Sequence, residues 1–171
     1  MITLDPAIVV RPLAEVTPGS LVQFRGARGF CAFNPRSPGQ ARVAVMYDAE
    51  RASFEYRFTP VGVLDFGADF IVVPNLKSLV EIDPSAEAST ELLLVGDSPK
   101  ILFHVEDGGG PRQLDLKTGI IEAVTHAVVA AFREWTVGVN TAVGGFLPLI
   151  DVGAPFGVAA EDVGPLEPDE V

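Results

Sequence analysis

The stretch "IIEAVTHAVVAAFREW", Ile120 to Trp135, decides between two folds. Its large apolar residues Ile121, Val124, Val128, Phe132 and Trp135 are spaced three, four, four and three apart. That spacing is one stripe of a 3.6-residue period and predicts a helix over about 120–136. The strand alternative needs apolar residues at every second position. The row Ala127, Val129, Ala131, Trp135 supplies them but is interrupted by Arg133. Against the helix stand the many β-branched residues, which lose side-chain freedom against the preceding helical turn.

On either side of this stretch the chain reads as strands. In "FEYRF", Phe54, Tyr56 and Phe58 alternate with Glu55 and Arg57, the period of a half-buried strand. "ARVAVMY" places Val43, Val45 and Tyr47 on one face. "FIVV" (70–73) and "ELLLV" (91–95) are continuous apolar runs between turn residues and read as strands buried on both faces. "SLVQF", "GFCAF", "SLVEI", "KILFHV" and "RQLDL" are further strands, and Gly, Pro and Asp cluster between them. No internal repeat is legible. The expected fold is α+β and β-dominated, with mostly antiparallel sheet, one C-terminal-half helix and an extended C-terminal arm. The expected division is a globular domain at 1–140 and an arm at 141–171. The arm carries a large apolar load up to Val158, is kept from regular helix by Pro148 and Pro155, and ends in acids.

The chain has 171 residues, 48% of them apolar, enough for one buried core. One cysteine, Cys31, excludes an internal disulfide, and its apolar flanks read as an inert core thiol. The formal charge of −11 is unevenly spread. Residues 1–60 hold seven arginines against five acids, and the arm holds six acids and no Lys or Arg. An acidic surface disfavours nucleic acid and anionic membrane, and suits a basic protein partner. The opening "MITLDPAIVV" lacks the basic start of a signal peptide, and no apolar run reaches bilayer length. The expectation is a soluble, cytoplasmic protein.

Motifs for catalysis and cofactors fail on spacing. "DGGGPRQLDLKTG" (107–119) has three glycines, but Pro111 and a strand pattern follow where a phosphate loop needs a helix. The glycines read as a hairpin turn, and Gly119 as the left-handed residue of a second turn. "GDSPK" has Lys100 where a nucleophile elbow needs Gly. His104 and His126 have no ligand spacing between them. Asp65 and Asp69 in "LDFGAD", like Glu106 and Asp107, read as turn acids. The sequence therefore predicts no catalytic residues, cofactor or metal. The candidate partner-binding residues are Asp107, Trp135, Phe146, Phe156, Glu161 and Asp162.

The segment 92–135, with its run of strands, glycine-rich hairpin, "LDLKTG" turn and "AAFREW", resembles the C-terminal part of SUKH-type domains. That resemblance implies an α+β domain with a final helix over Ala130–Trp135. It also implies a non-enzymatic protein-binding role, of the kind in which an immunity protein neutralises a bacterial toxin. Acidic charge fits a basic toxin. The alternative reading is a structural subunit of a phage or other particle assembly, its arm reaching onto a neighbour. A small-ligand binder or enzyme with a pocket in the sheet is a third class.

Overall fold

The computed structural model describes residues 5–36, 42–57, 62–85, 90–105 and 110–153. Among these residues there are fifteen strands and only short 3-10 turns. In chain order the strands are β1 (Val9–Pro12), β2 (Leu21–Phe24), β3 (Ala27–Phe33), β4 (Arg42–Asp48), β5 (Ser53–Arg57), β6 (Gly62–Gly67) and β7 (Ile71–Pro74). Then follow β8 (Leu79–Ile82), β9 (Leu92–Val95), β10 (Ser98–His104), β11 (Pro111–Asp115), β12 (Ile121–Glu122), β13 (Val129–Phe132), β14 (Trp135–Asn140) and β15 (Phe146–Val152).

The helix expected over 120–136 is not there. Its span holds β12, β13 and the start of β14. The stripe is not buried as one face either, because Val128 is 65% exposed while Ile121, Phe132 and Trp135 are buried. The physical reason is the one that weighed against the helix. The β-branched run Val128–Val129 fits an extended backbone, and pairing on both edges of β13, with β8 and β9, outweighs helical spacing. Arg133, which breaks the alternation, marks the bend between β13 and β14 rather than a helical turn.

Other strand expectations hold. In β3 and β4, Phe30, Ala32, Val43 and Val45 point into the main core, while Cys31, Ala44 and Met46 point into a second cluster on the outer face. In β9, Leu92 and Leu93 are buried on opposite faces. The segment "FIVV" differs, since Ile71 is exposed and β7 lies at the edge of its sheet. β10 and β11 pair antiparallel, Gly110 and Gly119 both have φ of +72°, and residues 106–109, with Glu106 and the other two glycines of the expected turn, lie outside the described residues. Phe146–Val152, assigned from sequence to an arm beginning at 141, is a full strand on β14.

The two halves of the chain repeat one topology, which the sequence did not reveal. The pairing path β1–β6–β2–β3–β4–β5 recurs as β8–β13–β9–β10–β11–β12, antiparallel at every step. Registers repeat as well. Phe30 lies opposite Val45 and Val45 opposite Tyr56; in the second half Ile101 lies opposite Leu114 and Leu114 opposite Ile121. Two parallel contacts join the halves, His104 with Glu55 and Phe33 with Ile120, and these occupy equivalent positions. They close a ring in the order β3, β4, β5, β10, β11, β12 and back to β3. A pseudo-twofold axis relates the halves, and the antiparallel pair β7–β14 straddles it, with Val72 opposite Val137. Closing the ring removes the free edges that its strands would otherwise present.

The main core fills the ring from both halves, with Phe30, Phe54, Ile101, Phe103, Leu114 and Trp135 among its buried residues. Trp135 stacks on Phe54 with ring centroids 5.8 Å apart, and its Nε1 donates to Thr90 O at 2.9 Å. Such a buried indole N–H needs its partner, because an unpaired one in an apolar core is costly.

Candidate functional site

Three places carry polar chemistry or open space. The first is a buried charge cluster on the outer face of β10 and β11. Side chains alternate across a strand, so Lys100 and Leu102 point away from the core that Ile101 and Phe103 enter. The Lys100 ammonium donates to Asp115 Oδ2 at 3.0 Å and to Glu122 Oε2 at 2.6 Å. Gln113 Nε2 donates to the same Glu122 oxygen at 3.1 Å, and Gln113 Oε1 accepts from Thr125 N at 3.0 Å. Asp115 Oδ1 accepts from Lys117 N and Thr118 N, which caps the turn before Gly119.

Burial opposes the charge on Lys100, but the bonds to Glu122 and Asp115 outweigh it and raise its pKa. Burial likewise opposes the charge on Asp115. Hydrogen bonds from Lys100 and from the backbone of Thr118 and Lys117 outweigh it and hold the carboxyl below its ordinary value. Both groups are therefore charged at neutral pH and turned toward each other. A catalytic lysine needs a lowered pKa and a catalytic acid a raised one. This cluster has the opposite poise, and its hydrogen bonds brace the 113–125 region. Sequence reasoning missed it. The available signal was Lys100, Gln113 and Asp115 at the outward positions of two strands joined by a hairpin.

The second place is a cleft of about 540 Å³ lined by Arg28, Tyr47, Asp48, Glu50, Leu149 and Asp151, among others. Arg28, Asp48 and Asp151 help to hold its walls. Arg28 Nη1 donates to Leu149 O at 2.9 Å and its Nε to Gln23 Oε1 at 2.8 Å. Thr136 Oγ1 donates to Asp151 Oδ1 at 2.8 Å, and Asp48 Oδ1 accepts from Glu50 N and Arg51 N. Burial, and then the charges of Asp151 and Asp48, push the Tyr47 hydroxyl up, so it stays protonated at neutral pH. Among the described residues no three His, Cys, Asp or Glu side chains are grouped to hold a metal ion.

The third place is the pair of strands that end the large sheet, β1 and β8. β1 exposes Val9 (47%) and Val10 (69%), and its outer edge pairs with no strand among the described residues. Arg11 lies beside Asp65 at 3.1 Å.

Of the residues expected to bind a partner, Trp135 and Phe146 lie among the described residues. Trp135 is buried at 2% exposure and belongs to the core, so it offers no surface. Phe146 is half-buried at the start of β15, its ring over Gly138. Asp107, Phe156, Glu161 and Asp162 lie outside the described residues. His104 and His126 are exposed, and Cys31 is fully buried. Burial above all pushes the Cys31 thiol up to about 11. Asp65 does not sit in a turn: it lies within β6 and accepts from Gly67 N at 2.8 Å, where the pairing with β2 skips Phe66. No helix among the described residues is long and apolar enough to cross a membrane.

No protein-family model matches the chain, and neither does any curated protein or solved structure. The SUKH-type resemblance placed a helix at Ala130–Trp135, where β13 and the bend into β14 stand instead.

Proposed function

We propose that this chain is a non-enzymatic protein-binding domain that takes a basic protein partner along the open edge of β1. The observation that carries this reading is the exposure of Val9 and Val10 on a strand whose outer edge is unpaired among the described residues. Free backbone N–H and C=O groups on such an edge can add a partner strand, and the valines supply apolar contact beside it. The formal charge of −11 selects against acidic partners and speeds encounter with basic ones. An immunity-type inhibitor of a basic toxin is one role that fits this description.

One observation favours an assembly subunit as the second reading. β1 and β8 are equivalent under the pseudo-twofold axis, and both end the sheet. A molecule with two open edges can pair the β1 of one copy with the β8 of the next, a head-to-tail contact that builds rings or filaments.

Val10→Lys tests both, because a charge on an edge strand blocks pairing without touching the core. Light scattering with and without a basic binding protein selected from the native source is the measurement. The variant keeps its melting temperature and loses the one-to-one complex under the first reading, or loses higher oligomers under the second. Retention of every complex by Val10→Lys removes β1 from the interface and overturns both.

A further inference from the structure

The pseudo-twofold axis makes β7 and β14 equivalent, yet only β14 has a strand on its far side. Val72 and Val137 face each other across the axis, so Phe70 corresponds to Trp135, Ile71 to Thr136, Val72 to Val137 and Val73 to Gly138. β15 lies along the outer edge of β14 from Phe146 to Val152. The first half has no such strand, because the chain leaves β7 at Asn75 and runs directly into β8. Among the described residues β7 therefore ends the three-stranded sheet. Burial follows this difference. Trp135 and Val137 are buried, whereas Phe70 and Val72 pack against the same core and stay partly exposed. The backbone follows it too. Asn75 N donates to Glu134 O at 2.9 Å, one step beyond the Pro74–Trp135 pair. Antiparallel bonding alternates, so Ile71 and Val73 bond to β14, and the N–H and C=O of Val72 point outward. Val137 turns in the same way toward Ile150.

We propose that this edge of β7 binds one extended, uncharged segment of another protein, laid antiparallel beside Phe70–Pro74 as β15 lies beside β14. The side chains define the segment. On β15, Asp151 stands opposite Thr136 and accepts from its hydroxyl at 2.8 Å. The counterpart of Thr136 is Ile71, which is 38% exposed and has no hydroxyl. An acid there would lose its bond and meet apolar surface, so the segment carries an apolar residue where β15 has Asp151. The Phe146 ring lies over Gly138, and the counterpart Val73 takes that room with its own side chain. The segment therefore has a small residue where β15 has Phe146. Arg28 Nη1 holds Leu149 O, but the counterpart of Arg28 is Pro99, which has no donor. Attachment thus rests on Val72 and on apolar contact, the mode of a strand added to a sheet edge. The formal charge of −11 opposes the approach of a second copy and favours a segment flanked by Lys or Arg.

Peptide binding to the full chain tests the site. The probes are two lysine-flanked peptides of the sequence Phe146–Val152, both with Phe146→Ala and one also with Asp151→Val. Amide hydrogen exchange by NMR is the first measurement. The Asp151→Val peptide at saturation should slow exchange of the Val72 amide at least about tenfold, and leave the Ile71 and Val73 amides, already bonded to β14, unchanged. It should also bind about tenfold more tightly than the peptide that keeps the acid. Absence of slowing at Val72 overturns the proposal, and so does equal affinity for the two peptides.

Two variants complete the test. Ile71→Thr restores the hydroxyl at a partly exposed position and should close the gap between the two peptides. A gap that persists overturns the assignment of Ile71 and the proposal with it. Val10→Lys should leave peptide binding unchanged, which separates this site from the edge of β1. Loss of binding in Val10→Lys places the peptide on β1 and overturns the proposal. Dimers of the free protein that Ile71→Lys dissolves also overturn it, and assign the edge to a second copy.

Discussion

Lys100 carries a charge into a place that admits almost no water, its side chain being 9% exposed, and Asp115 at 7% is its closest match. Removing one partner of such a pair strands the other, so Lys100→Met should cost about 3–5 kcal/mol in urea unfolding. Adding Asp115→Asn should recover much of that loss, because a neutral side chain can still cap the Lys117–Thr118 turn. The pair also sets a pH window. Asp115 is held below its ordinary pKa, so its contribution is complete above about pH 4 and is lost as pH falls through the depressed folded value. Lys100 is raised, so its contribution is complete below about pH 10 and is lost as pH rises through the raised folded value. Melting temperature against pH should therefore show two shoulders, and both should shrink in the double variant. Each member of this cluster reads singly as a solvent-facing strand residue, and only the register of the β10–β11 hairpin puts them on one face. Trp135 ends the apolar stripe that predicted a helix and was also a candidate for partner binding; it is a core residue on a strand instead. Trp135→Ala removes the stack on Phe54 and the bond to Thr90, and should cost about 3–5 kcal/mol.

Elements were legible where alternation was long and uninterrupted. "ARVAVMY" and "KILFHV" announce β4 and β10 because every second residue meets the same core. The segment 120–136 misled because three short extended pieces, separated by a polar stretch and a bend, happen to space their apolar residues as a helix would. Local pattern cannot show that β13 has a partner on each side, and it is those partners that decide. Gly119 was legible from its turn alone and has a second constraint that was not. A Cβ there would meet Gly19 N at 2.1 Å and Pro18 C at 2.4 Å, backbone atoms with no freedom to move aside. Gly119→Ala should therefore cost more than the roughly 1 kcal/mol expected from positive φ alone, whereas Gly110→Ala, with nothing within 4 Å, should cost about that amount. Thermal denaturation of the two variants side by side is the check.

At the scale of the molecule, the halves are not separable bodies, because each lends strands to one ring. Phe33 N donates to Gly119 O at 2.7 Å across the join, and the core mixes Phe30 and Phe54 with Ile101 and Trp135. Unfolding should show one transition by calorimetry and by tryptophan fluorescence alike, with no plateau between. The repeat escaped the sequence because equivalent positions keep burial rather than identity. Leu21 answers to Leu92 and Phe30 to Ile101, but Gly29 answers to Lys100 and Met46 to Asp115. The core tolerates any apolar residue of similar volume, so two copies of one pattern can drift until only the pairing remembers it.

The β7–β14 pair that straddles the pseudo-twofold axis has a bearing on ancestry. Because β7 meets its own counterpart there, a gene of half this length could have made the whole ring as a symmetric homodimer, each protomer giving its last strand to the other. Fusion of two such genes would then release the two copies from identity. One outer face, around Val22, Cys31, Ala44 and Met46, is apolar; on its counterpart Leu93 and Leu102 are buried and apolar as well, but Gln113 and Asp115 stand where Ala44 and Met46 do. The prediction is concrete: fragments 1–77 and 78–171 should each be unfolded alone and should assemble on mixing into a one-to-one complex with the circular dichroism of the intact chain.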